Sequence, residues 1–189
     1  MKFRSTMQMI AAVGIAATLA ACATPEGSTT LDKQNSTLSM RDTTLTRLYK
    51  EKPEARAAID GGAGYGVFST IAMGAVVGGS NGYGVVEDKA GKRTYMRMAS
   101  GGLNLGVSAT ETKLVLIFKD KATLDKFTSE TFEWGSSASA GAKGEKSGGM
   151  NEEAGKMTRD ITVYQLTDTG FALTANLAGT KFWPEKGMN

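Results

Sequence analysis

The chain contains no histidine and a single cysteine, and these two facts bound most of the chemistry open to it. Without an imidazole there is no Ser-His-Asp or Cys-His nucleophile and no histidine-ligated zinc site, since each needs that base or that ligand. Serine working with lysine, or a carboxylate pair such as Glu152 and Asp160, are the catalytic arrangements that remain. Carboxylates crowd most protein surfaces, and no spacing selects that pair. The glycine-dense stretch 61–84 invites comparison with a phosphate-binding loop. The pattern G-x-x-x-x-G-K-[ST] is absent: Gly91-Lys92 runs into Arg93, and Gly155-Lys156 into Met157. Nor do the glycines give G-x-G-x-x-G between a strand and a helix. The residues therefore point to a protein that is not an enzyme and carries no cofactor or metal.

The one thiol sits in Leu19-Ala20-Ala21-Cys22, behind Lys2, Arg4 and an uncharged run over 9–21. A charged start, a short apolar run and small residues are the marks of a secretory signal. The run falls short of the roughly 20 apolar residues a spanning helix needs. The four residues closely resemble a bacterial lipobox. The plainer alternative, an ordinary signal followed by a chance cysteine, leaves the coincidence of Leu19, two small residues and Cys22 unexplained. The resemblance implies that 1–21 is removed as a lipoprotein signal peptide and that Cys22 is the lipid attachment site, bearing diacylglycerol and palmitate-like chains. Each buried methylene contributes about 0.8 kcal/mol, so several chains hold firmly where one holds marginally. Ala23 is not the aspartate that retains many lipoproteins in the inner membrane, which favours the outer membrane and its periplasmic face.

Removing 21 of the 189 residues leaves 168, a length that suits one domain with a proper core. Two of the 22 basic residues, Lys2 and Arg4, lie in the removed part, leaving 20 against 19 acidic ones. That balance gives no case for nucleic acid. With Cys22 acylated no disulfide forms, and packing alone must hold the fold.

The polar stretch 22–37, with Pro25 and Gly27, reads as a flexible tether. The folded domain is then 38–189. Leu38, Leu45, Leu48 and Tyr49 fall near helical spacing, and Pro53 is placed to start a second helical piece through Ile59. Arg41, Arg47, Lys50, Lys52 and Arg56 are assigned to the exposed side of these helices as candidate headgroup contacts. Asp42, Glu51 and Glu54 are interspersed among them, as on an ordinary solvated face. Curved strands are expected over 65–72 and 82–87, a turn over 88–92, and further strands over 94–98, 103–109 and 114–118. Asp120 caps a helix over 121–128 that buries Leu124 and Phe127. The Ser/Ala/Gly stretch 136–149 reads as a loop. Strands 161–166 and 171–177 form a hairpin, with Phe171, Leu173, Ala175 and Leu177 on its inner face, and a last strand covers 181–183. Phe182 and Trp183 are expected to close the core. The fold class is α+β: a curved antiparallel sheet or barrel-like β core, with N-terminal helices and one further packed helix.

Five segments in order carry a resemblance: Gly64-Tyr65-Gly66-Val67-Phe68; Gly78-Gly79-Ser80-Asn81-Gly82-Tyr83-Gly84-Val85; Gly102-Leu103-Asn104-Leu105-Gly106; Leu116-Ile117-Phe118 with Leu124-Asp125-Lys126-Phe127; and Ala178-Gly179-Thr180-Lys181-Phe182. The chain resembles the SYLF domain family, also called Ysc84 or DUF500, over about 38–184. Ser69 stands where many members have proline, and Asn81 where a histidine is common. The resemblance implies a phospholipid-contacting fold, in bacteria often an envelope lipoprotein. Phosphoinositide specificity and actin-related roles do not carry over.

The leading expectation is thus a non-enzymatic envelope lipoprotein whose domain binds a phospholipid membrane surface. The alternative is a periplasmic scaffold or stress-related module, anchored by its lipid and binding an envelope protein partner.

Overall fold

The computed structural model describes residues 24–73, 78–102, 111–134, 160–167, 170–174, 177 and 179–189. Cys22 with 1–21, the stretches 103–109 and 136–149, Glu152 and Ala175 lie outside the described residues.

The first helix, α1, runs Thr30–Glu51. It opens on a capping box: Thr29 Oγ1 accepts from the Asp32 amide, and Asp32 Oδ2 from the Thr29 amide, both at 3.1 Å. This pair satisfies two of the donors a helix start leaves open. The tether expected up to residue 37 therefore ends before Thr30. Even the residues ahead of the helix are docked: Pro25 is buried, and Ser36 Oγ donates to the Glu26 carbonyl at 2.9 Å. The early turns escaped the apolar pattern because α1 buries polar groups, namely Thr37, Arg41 and Thr44 beside Leu45 and Leu48. Thr37 and Thr44 make burial tolerable by donating to the Lys33 and Met40 carbonyls, each at 2.7 Å. Pro53 then caps α2, Glu54–Gly61, which buries Ala55 and Ile59.

The sheet is built from β1 (Gly64–Met73), β2 (Gly78–Asp88), β3 (Arg93–Gly102), β4 (Glu111–Phe118), β5 (Phe132–Trp134), β6 (Ile161–Thr167), β7 (Gly170–Thr174) and β8 (Thr180–Pro184). Between β4 and β5 lies α3, Lys121–Ser129, whose start is capped as expected by Asp120 on the Thr123 amide at 2.8 Å. The eight strands form one antiparallel sheet in the order β5-β8-β3-β2-β1-β4-β6-β7. This is the curled, half-barrel α+β arrangement expected.

On the concave face the sheet wraps α3. Phe127 is fully buried, its ring 5.0 Å from those of Phe118, Phe132 and Phe182 and 6.3 Å from that of Phe68. Edge-on and tilted pairs of this kind add about 0.5–1.5 kcal/mol each beyond area burial. Glycine makes the room: a Cβ on Gly84 would lie 2.3 Å from the Val67 carbonyl oxygen and 2.5 Å from the Phe68 ring. The face of the glycine-rich strands is thus filled by rings.

The convex face carries α1 and α2, with Leu45, Leu48, Ala55 and Ile59 on Val67, Val115, Ile117, Tyr164 and Phe171. Two expectations need correction here. Leu173 shares the face of Phe171 but lies beyond the helices, 67% exposed. Phe182 enters the core, whereas Trp183 points to the opposite face beside Arg97 and is only half-buried. Strand β5 was not anticipated at all.

Candidate functional site

Strand pairing sets the chemistry-bearing residues in rows across the convex face, beneath α1. One row runs Tyr83, Ser69, Lys113, directly opposite one another on β2, β1 and β4. Ser69 is 2% exposed. Its hydroxyl donates to Glu111 Oε1 at 2.7 Å and accepts from Lys113 Nζ at 3.0 Å, while the ammonium also bonds Glu111. Burial works to raise the Glu111 pKa, but the bonds from Lys113 and Ser69 and the nearby positive charge outweigh it, holding the carboxyl below its usual range. The Tyr83 phenol is pushed up, first by burial and then by the carboxylates of Glu111 and Glu26.

Above this row is a cleft of about 290 Å³. Its floor is Tyr83 and Lys113, its wall is the Ser36, Ser39, Thr43 and Thr44 side of α1 with Met40, and its lip is Glu26. Hydroxyls, one ammonium and one carboxylate share this lining with Met40 and the Tyr83 ring.

A second row, nearer the start of β1, is structural. Glu87 accepts from Arg41 at 2.6 Å, from Arg93 at 2.7 Å and from the Tyr65 hydroxyl at 3.2 Å. Burial, then the Glu87 charge, push the Tyr65 phenol up to about 12. Arg41 is only 9% exposed and also bonds Asp42 at 2.8 Å. It pins α1 to the sheet and does not stand on the exposed face assigned to it.

Of the other four candidate contacts, Arg47 is exposed but paired with Glu51 at 2.7 Å, and Arg56 lies 4.2 Å over the Tyr49 ring. Lys50 is exposed and Lys52 half-buried at the end of α1. These four share one end of the helical layer, away from the Ser36–Thr44 side that faces the cleft. The cleft itself was missed in the sequence. Ser69, the departure from the resembled pattern noted above, is its closest signal.

Among the described residues no cluster of ligating side chains could hold a metal ion. Among the same residues, no helix is long and apolar enough to cross a membrane.

The chain is similar to Beta cell expansion factor A of Aeromonas veronii, 34% identical over 151 residues. The match covers 79% of this chain and 56% of that protein, so the chain spans little more than half the length of the relative. No family model matches the sequence.

Proposed function

We propose that the chain is a non-enzymatic envelope lipoprotein of the SYLF type, acylated on Cys22, whose domain contacts phospholipid at the periplasmic face of the outer membrane. The observation that carries this reading is the docking of the segment just after Cys22. With Pro25 buried and Glu26 bonded to α1, only residues 22–24 separate the acylated sulfur from the folded body. Three residues span at most about 11 Å. An anchor so short presses the domain against the headgroups, where a long tether would let it roam.

The polar row also argues against serine chemistry. A lysine that activates serine must be neutral to take its proton, and Lys113 instead holds its ammonium against the Glu111 carboxylate. The scaffold reading draws on exposed Leu31 and Leu173, but two such residues among those described are far from the several hundred Å² of apolar patch that marks a protein-binding surface.

Intact-mass analysis of the protein from its native envelope tests the reading. The expected product begins at Cys22 and carries a diacylglyceryl group with a further acyl chain, and it fractionates with the outer membrane. An unmodified sulfur on a freely released protein would overturn it.

A further inference from the structure

Met40 sits at a boundary. It packs against the apolar cluster that includes Leu45, Leu48, Val67 and Val115, and it also lines the cleft beneath α1. Its sulfur lies 3.8 Å from Thr44 Oγ1, one turn further along the helix. The other methionines whose side chains are described, Met96, Met98 and Met188, are 1%, 2% and 8% exposed, whereas Met40 is half-buried. A water molecule takes up about 30 Å³ of the liquid. A cleft of about 290 Å³ therefore admits a small oxidant such as hydrogen peroxide to the side of Met40.

Oxidation changes what this side chain can pack against. A thioether is a soft apolar group that fills gaps, whereas its sulfoxide is polar and carries an acceptor oxygen. Held against the apolar cluster, that oxygen has no partner, and burying an unpaired polar group is unfavourable. The cleft is open to water and adds the Tyr83 hydroxyl and the Lys113 ammonium as donors. The oxidised side chain is thus drawn out of the cluster and into the cleft. Helix α1 has little to replace it. Ahead of Leu45, only Leu38 and Met40 of its side chains join the apolar clusters, since Thr37, Arg41 and Thr44 are buried polar groups and Leu31 is 64% exposed.

We propose that Met40 is a redox-responsive modification site, at which hydrogen peroxide converts the thioether to the sulfoxide and thereby loosens α1 from the sheet. In the forward step the sulfur takes one peroxide oxygen, the O–O bond breaks and water leaves, so that sulfur loses two electrons and the peroxide gains them. A methionine sulfoxide reductase reverses the step with a dithiol: the two thiols supply electrons and protons, end as a disulfide, and the oxygen leaves as water. Neither step requires an acylated Cys22.

The test is timed treatment of the full-length protein in detergent with hydrogen peroxide, followed by peptide mass spectrometry and by hydrogen exchange of the α1 amides over 37–44. Met40 is expected to gain oxygen at least about tenfold faster than Met96, Met98 or Met188, because susceptibility follows exposure. In the oxidised protein the protection of those amides should fall by about tenfold and return after treatment with methionine sulfoxide reductase. Met40→Leu, a swap that nearly conserves volume, should keep its protection when treated with peroxide in parallel, which separates this site from oxidation elsewhere in the chain. Met40→Gln, polar but unable to take up oxygen, should show the lowered protection with no peroxide at all. Oxidation of Met40 no faster than that of the three buried methionines would overturn the assignment. So would unchanged protection once the sulfoxide has formed, or an equal fall in Met40→Leu.

Discussion

At the scale of single residues, Glu87 matters most to the placement of α1. It is the one carboxylate that meets Arg41, Arg93 and Tyr65 together, and Arg41 and Glu87 side chains are only 11% and 18% exposed. Removing one member of a buried pair strands the other charge in a poor solvent, which costs about 3–5 kcal/mol when burial is complete. Residual exposure puts Glu87→Ala at the low end, about 3 kcal/mol of stability by urea unfolding. The double variant Glu87→Ala with Arg41→Met is expected to recover more than half of that loss, because no charge is then left stranded. An additive loss in the double variant would show that the pair is not what holds the helix. Sequence position says nothing of this network. Arg41 lies 46 residues from Glu87, and only the register of β1 with β2 makes Tyr65 face Glu87.

At the scale of elements, the strands were legible wherever Val, Phe, Tyr and Ile recur between glycines, because that pattern has no other use than a packed, curved sheet. Helix α3 was legible from Asp120, Leu124 and Phe127 alone. The start of α1 was not, since a helix that buries threonines lacks the apolar stripe by which helices are found. Strand β5 has three residues, too few to show a period. Leu173 shows the remaining limit: alternation tells which residues share a face, but not how far the covering helix reaches along it. That reach is set at the end of α1, where Glu51 accepts from Arg47 and from the Phe171 amide at 2.9 Å, tying the helix to β7. The bond from Arg47, then that from the Phe171 amide, lower the Glu51 pKa below its ordinary 4.5. A carboxyl lowered on folding contributes stability that is full above the unfolded pKa and lost as pH falls through the folded one. The Phe171 amide is therefore expected to keep a constant hydrogen-exchange protection factor from about pH 8 to about pH 5 and to lose it below about pH 4. Glu51→Gln, which still presents an acceptor oxygen but cannot titrate, should flatten that profile. A profile unchanged by the substitution would mean that another carboxyl controls the end of the helix.

At the scale of the whole molecule, the charges on the helical layer are mostly engaged with the protein itself. Arg41 is buried on Glu87, Arg47 is held by Glu51 and Arg56 lies over Tyr49, which leaves Lys50 as the most available cation of the five expected to meet headgroups. Residues 22–189 carry 20 basic against 19 acidic residues, so no large net charge draws this part of the chain to an anionic surface. A polybasic patch contributes about 1 kcal/mol per residue near such a surface and is erased by salt, whereas burial of acyl chains is indifferent to salt. The two modes of attachment separate in a flotation experiment on vesicles of ethanolamine and glycerol phospholipids. From about 0.01 M to about 1 M salt the Debye length shrinks from about 30 Å to about 3 Å. Over that range the acylated chain should stay with the vesicles throughout. A chain that begins at Ala23, without 1–22, should remain largely in the soluble fraction even at the lowest salt, since its near-balanced charge gives little attraction to the surface. Salt-sensitive attachment of the acylated chain, or firm low-salt attachment of the chain without 1–22, would move the main membrane contact from the anchor to Lys50, Lys52 and their neighbours.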